Sequence, residues 1–129
     1  MSLSLDELSK AVESLKLAQD LYHSPASQNE IVKKAFRDAC IQRFEYCIEL
    51  AWKTSMKVLG SKTLAIKPAV REMARSNLIQ NPELWMQFIE ARNDTSHSYD
   101  EDVAEKVFKN IELFYPEVIK LIETLKSQA

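Results

Sequence analysis

The chain carries an arginine, a histidine and a tyrosine within one polar stretch, "EARNDTSHSYDED", from Glu90 to Asp102. Arg92 stands five residues before His97, and Tyr99 stands two after it. Between them lie Asn93, Asp94, Thr95 and Ser96, all residues that favour turns. An arginine presents a fork of donors to phosphate oxygens and steadies negative charge that develops there. A histidine titrates near neutrality and can pass a proton. Together they suit cleavage of a phosphodiester, and of RNA above all, because RNA carries its own nucleophile beside each phosphate, the 2′-hydroxyl. Such cleavage needs a base and an acid, and the turn offers one histidine. Two copies of the turn across a two-fold axis would supply both, so this chemistry predicts a homodimer with the turn at its interface. The same residues have a structural reading. Arg92 suits a helix C-terminus, Asn93 and Asp94 are ordinary in turns, His97 could satisfy a backbone carbonyl, and Tyr99 could pack on the next helix.

Five helical patterns flank and position this turn. The first runs from about Ser4 to Tyr22, with Ser4 and Glu7 placed as a capping box. "HSPAS" ends it, because Pro25 drives Ser24 away from helical geometry. The second is a spine from about Ser27 to Leu59, with Ser27 as cap and Glu30 three residues on. Phe36, Cys40, Phe44, Cys47 and Ala51 form one of its stripes, and Ile41, Ile48 and Trp52 an adjacent one. Gly60 is its natural stop. "SKTLAIK" reads as a loop, and Pro68 suits the first turn of a short third helix through about Ser76. Asn81 caps the fourth and Pro82 opens it, and it fades near Asn93. The fifth begins near Asp100, where Asp100, Glu101 and Asp102 complement the helix dipole. Its stripe continues through Val118 and Leu125, and Pro116 within it predicts a kink or a division in two. Short connections between long helices favour antiparallel neighbours, so the expected fold is an all-α, up-and-down bundle of four to five helices.

Composition bounds the function. The 129 residues, 46% of them apolar, fit one globular domain spanning 1–129. A formal net charge of −2 gives no global basic field for nucleic acid, although Lys53, Lys57, Lys62, Lys67 and Arg71 form a loose basic group after the spine. The chain has a single glycine, Gly60, which excludes the P-loop and the dinucleotide fingerprint. Cys40 and Cys47, on one helix, would lie roughly 10 Å apart along its axis, beyond the reach of a disulfide. With no second ligand pair for zinc, they read as core residues in a reducing compartment. Asp6 and Glu7 stand where a signal peptide would be basic and then apolar, and no apolar run is long enough to span a membrane. The expected location is the cytoplasm, with neither cofactor nor metal. Trp52 and Trp85 read as core, and His23 as a helix-end or solvated side chain.

These segments resemble a known family. "RNDTSHSY" matches the R-x4-H-x-Y motif of the HEPN superfamily, in particular the HepT-like proteins, also called nucleotidyltransferase substrate-binding proteins. "RFEYCIELAWKTSMKVL" resembles that family's second helix, "PELWMQFIEARNDTSHSY" its motif segment, and "FYPEVIKLIETL" its closing helix, proline included. The resemblance implies a dimeric all-α bundle that binds a minimal nucleotidyltransferase. It implies a toxin ribonuclease paired with that partner as antitoxin, with Arg92 and His97 catalytic, and Asn93 and Asp94 supporting the motif. It also implies AMP transfer to Tyr99, where a bulky anion would obstruct RNA and repel its phosphates. Two rivals stand beside it. One is a non-catalytic subunit that presents substrate to the nucleotidyltransferase, and the other is a helical interaction module whose turn is only structural.

Overall fold

Apolar residues that recur every three or four positions must face a core on one side of a helix, and two adjoining stripes demand neighbours on several sides. The spine meets that demand as α2, Glu30–Leu59. A computed structural model describes residues 3–128. In it α1 (Leu3–Tyr22), α3 (Ile66–Arg75), α4 (Pro82–Asp94) and α5 (Glu101–Gln128) all pack against α2. A single 3₁₀ turn, Thr95–His97, joins α4 to α5. The described residues contain no strand, so the chain is an all-α bundle of five helices, as expected. No helix among them is long and apolar enough to cross a membrane.

Four aromatic rings fix where α4 lies. Phe114 of α5 meets Phe44 of α2, Trp85 and Phe88 in edge-on contacts with centroids 5.0, 5.7 and 5.3 Å apart. Each such pair contributes about 0.5–1.5 kcal/mol beyond the area it buries. The cluster therefore pins α4 between α2 and α5, and with it the position of the last turn of α4, where Arg92 stands. Cys40 and Cys47 are free thiols inside the core. Burial pushes both thiols up to about 12, so they stay neutral and unreactive.

Most helix ends follow local chemistry. Asn81 Oδ1 accepts from the Leu84 N–H at 3.2 Å and Pro82 opens α4, as the sequence predicts. Gly60 takes φ 67° after α2, its N–H bonds Lys57 O, and the Ser61 N–H reaches Met56 O at 2.9 Å. The same closure recurs after α3, where Asn77 takes φ 61° and the Leu78 N–H reaches Met73 O. That closure has a sequence signal, since asparagine is the residue besides glycine that tolerates this conformation.

Three boundaries differ from expectation. The cap of α2 is Asn29, not Ser27: Asn29 Oδ1 accepts from the Val32 N–H at 2.9 Å. The Ser27 N–H is instead drawn back to Ser24 O in the turn that Pro25 imposes. Helix α3 begins at Ile66, inside the stretch read as a loop, while Pro68, its third residue, stands in the first turn as expected. Pro116 does not divide α5, which runs unbroken to Gln128. Phe114, Val118, Leu121 and Leu125, on both sides of the proline, bury in the same core, and that packing outweighs one lost backbone hydrogen bond. The capping box expected at Ser4 rests on a side chain outside the described residues; α1 itself begins at Leu3.

Candidate functional site

The four C-terminal carbonyls of a helix have no partners within it, and the polar run after Arg92 supplies some. The Thr95 hydroxyl donates to the Arg92 carbonyl at 2.7 Å, and the Ser96 hydroxyl to the Asn93 carbonyl at 3.3 Å. The Asp100 N–H then donates to the His97 carbonyl at 3.0 Å. Asp100 Oδ1 accepts from the N–H groups of Asp102 and Val103, at 2.9 and 3.3 Å, and so caps α5. The acidic "DED" run is thus helix-starting chemistry. The turn is closed by hydroxyl, carboxylate and backbone bonds that use neither the His97 ring nor the Tyr99 side chain.

Arg92 reaches across to α2. Its guanidinium forms an ion pair with Glu49, and its Nη1 donates to Asn93 Oδ1 at 3.3 Å. Glu49 is a hub: Trp52 Nε1 donates to its Oε2 at 3.1 Å, and Lys53 Nζ lies 3.6 Å from the same oxygen. Arg92, Glu49, Trp52 and Lys53 all line an open groove of about 830 Å³ between the C-terminal half of α2 and the start of α3. Trp52 is therefore core and also borders this groove.

His97 is exposed, and its ring lies 6.2 Å from that of Tyr99, inclined at 70°. Tyr99 is 84% exposed, so it does not pack on α5 as a staple. Asn93 is exposed and Asp94 half-buried. No hydrogen bond or ring contact among the described residues joins Arg92 to His97. The structure gathers the three motif residues at one corner and couples them in two sets, Arg92 with α2 and His97 with Tyr99. The other histidine is engaged elsewhere, its Nε2 3.0 Å from Glu112 Oε1.

Two partners were invisible to sequence reasoning. Glu49 lies 43 residues from Arg92; its spacing to Lys53 on one helix face is legible, but its reach to α4 is not. Arg37 of α2 is the other, with a side chain only 4% exposed. Its Nη1 and Nη2 donate to the two carboxylate oxygens of Glu101 at 2.9 and 3.1 Å, and Nη1 also reaches Glu105 at 2.9 Å. The hydrogen bond to Glu101, above all, raises the Arg37 pKa, and the same bond holds the Glu101 carboxyl below its ordinary range. Glu101 is the first residue of α5. The motif turn is thus tied to α2 at both ends, through Glu49–Arg92 and Arg37–Glu101.

Comparison with known proteins agrees with this architecture. A curated Haemophilus influenzae relative, "Probable ribonuclease HepT", is 30% identical over 109 residues, spanning 78% of this chain and 75% of that protein. A solved Haemophilus influenzae structure, described as the fold of a substrate binding domain of a nucleotidyltransferase, superposes with a TM-score of 0.84. It is 28% identical, over 95% of this chain and 98% of the other. A Thermus thermophilus structure shares the fold, with a TM-score of 0.75 at 24% identity over 90% and 98% of the two chains. The family described as "nucleotidyltransferase substrate binding protein like" matches residues 3–127. With a five-helix bundle that carries an Arg-His-Tyr corner, this chain belongs to that nucleotidyltransferase substrate-binding family.

Proposed function

We propose that this protein is the cytoplasmic partner of a minimal nucleotidyltransferase and the toxin of the pair, a homodimeric endoribonuclease that needs no metal. The observation that carries this reading is the corner itself: His97 and Tyr99 stand exposed, ring beside ring, on the turn that follows Arg92 at the end of α4. Arg92 binds the scissile phosphate and stabilises the charge that develops on its oxygens. His97 of one protomer takes the proton of the 2′-hydroxyl, whose oxygen attacks phosphorus while the bond to the 5′-oxygen breaks. The second protomer's copy of the same histidine protonates that leaving oxygen, and the products are a 2′,3′-cyclic phosphate and a 5′-hydroxyl. The partner transfers AMP from ATP to the Tyr99 hydroxyl with release of pyrophosphate. The added anion beside His97 repels RNA and silences the site. The name of the Haemophilus relative favours ribonuclease chemistry.

A second reading, a non-catalytic subunit that presents substrate, is favoured by one contact. Glu49 already occupies the Arg92 guanidinium and neutralises the charge that a phosphate would meet. Expression of the wild type beside His97→Ala in a bacterial host separates the two. Growth arrest with RNA loss in the wild type alone is the expected result, since removing a general acid–base group costs about 10²–10⁴ in rate. Intact RNA in both cultures, with both proteins folded, would leave the non-catalytic subunit.

A further inference from the structure

The groove beside Arg92 has a composition that the cleavage chemistry does not require. Its floor is apolar, supplied by the buried Trp52 and Met56, and Leu64 stands over it from the α2–α3 loop at 92% exposure. Its polar side is cationic: Lys53, Lys57 and Arg92 line it against one carboxylate, Glu49. Lys53 Nζ lies 5.6 Å from the centroid of the Trp52 ring, so a cation already sits against the indole face. Leu64 and the half-buried Ile66 thus set apolar surface directly beside the lysines and Trp52. It suits a ligand that has a flat, weakly polar part and an anionic part. At about 830 Å³ the open groove has room for a molecule of nucleotide size.

We infer that this groove is a nucleotide subsite, holding the base next to the scissile phosphate on Leu64 and Ile66 beside Trp52, and that nucleotide's own phosphate on Lys53 and Lys57. The occupant follows from charge and continuity. The lining is cationic on a chain whose net charge is −2, and Arg92 belongs both to this lining and to the candidate catalytic pair. Single-stranded RNA combines a stackable face with a phosphate at every unit, and such binding tolerates many base sequences. The identity of the occupant as RNA rests on the ribonuclease reading above; the groove's charge and shape do not. Lys62, Lys67 and Arg71, the rest of the basic group, are exposed outside the groove and have no part in it.

Binding can be read without cleavage. The full chain is titrated with a 2′-O-methyl RNA pentamer, which has no free 2′-hydroxyl and cannot be cut, and tryptophan emission is followed. Trp85 is 1% exposed in the core, so a change on binding reports Trp52. The expected result is quenching in the wild type and in His97→Ala, lost in Trp52→Phe. The double variant Lys53→Gln with Lys57→Gln, at two exposed positions and checked for an unchanged melting temperature, should bind about tenfold more weakly, with a shallower salt dependence. Two results overturn the inference. One is unchanged affinity in the double variant alongside His97-dependent cleavage, which leaves the ribonuclease reading standing. The other is quenching by the nucleotidyltransferase partner but not by the pentamer, which would make the groove a protein-docking surface. Charge-dependent pentamer binding with no cleavage by the wild type would instead uphold the groove and remove the ribonuclease.

Discussion

Arg92 and Glu49 set an internal competition at the level of single residues. An arginine held by a carboxylate is well placed and partly neutralised at once, so the ion pair fixes geometry at the expense of attraction. Glu49→Gln should separate the two effects. Under the proposed ribonuclease function RNA affinity should rise, because removing one charge near a phosphate changes the interaction by about 1 kcal/mol, or roughly fivefold. The proposed cleavage should slow, because Arg92 loses the ion pair that orients it. Oligonucleotide binding and single-turnover cleavage, measured side by side, check this; a loss of both, or a gain of both, would contradict it. The motif residues themselves were legible from type and spacing, since Arg-x4-His-x-Tyr within turn-forming residues is a local pattern. Glu49 was not, because a contact across 43 residues depends on where α4 docks and leaves no local trace.

Helix stops and starts, too, are local, and here the sequence was read with uneven success. Gly60, Asn81 and Pro82 marked their boundaries because each acts within its own turn, Gly60 and Pro82 through the backbone and Asn81 through its side-chain oxygen. Ser27 misled because two valid caps stood two residues apart, and the turn around Pro25 decided between them. Pro116 leaves α5 undivided because intrinsic propensity counts for less than a shared core. That proline is exposed and leaves a helical carbonyl without its donor, so Pro116→Ala should stabilise the protein by about 1–3 kcal/mol. Urea unfolding measures it, and a loss of stability would mean that the ring packs or kinks α5 in a useful way. The start of α5 carries a pH signature. Glu101 has its carboxyl held below 4.5 by Arg37, so its contribution is full above pH 4.5 and drains away as pH falls through the lower folded value. Thermal melts in acid should therefore show a steeper fall in Tm for the wild type than for Glu101→Gln.

At the scale of the molecule, helix number, order and core were readable because period and length are strong signals in an all-α chain. Which helices touch was not, and neither was the double attachment of the motif turn to α2. The proposed two-fold site yields a test of its own. If each cleavage needs a histidine from both protomers, a tethered dimer of wild type and His97→Ala should be nearly as inactive as the homodimeric variant. Retention of half the activity would show that each protomer cuts alone.

The attachment of the turn to Arg37 and Glu49 makes α2 a ruler. The two anchors lie twelve residues apart on one helix, about 18 Å along its axis. Deleting a single residue between them would swing one anchor by about 100° around the helix and shorten the span. Both ties could not then be made together. The loop between Gly60 and Ile66 bears no such measurement, so length changes there would leave the frame of the motif intact. Insertions and deletions in this fold should therefore be tolerated or refused according to whether they fall within the ruled part of α2.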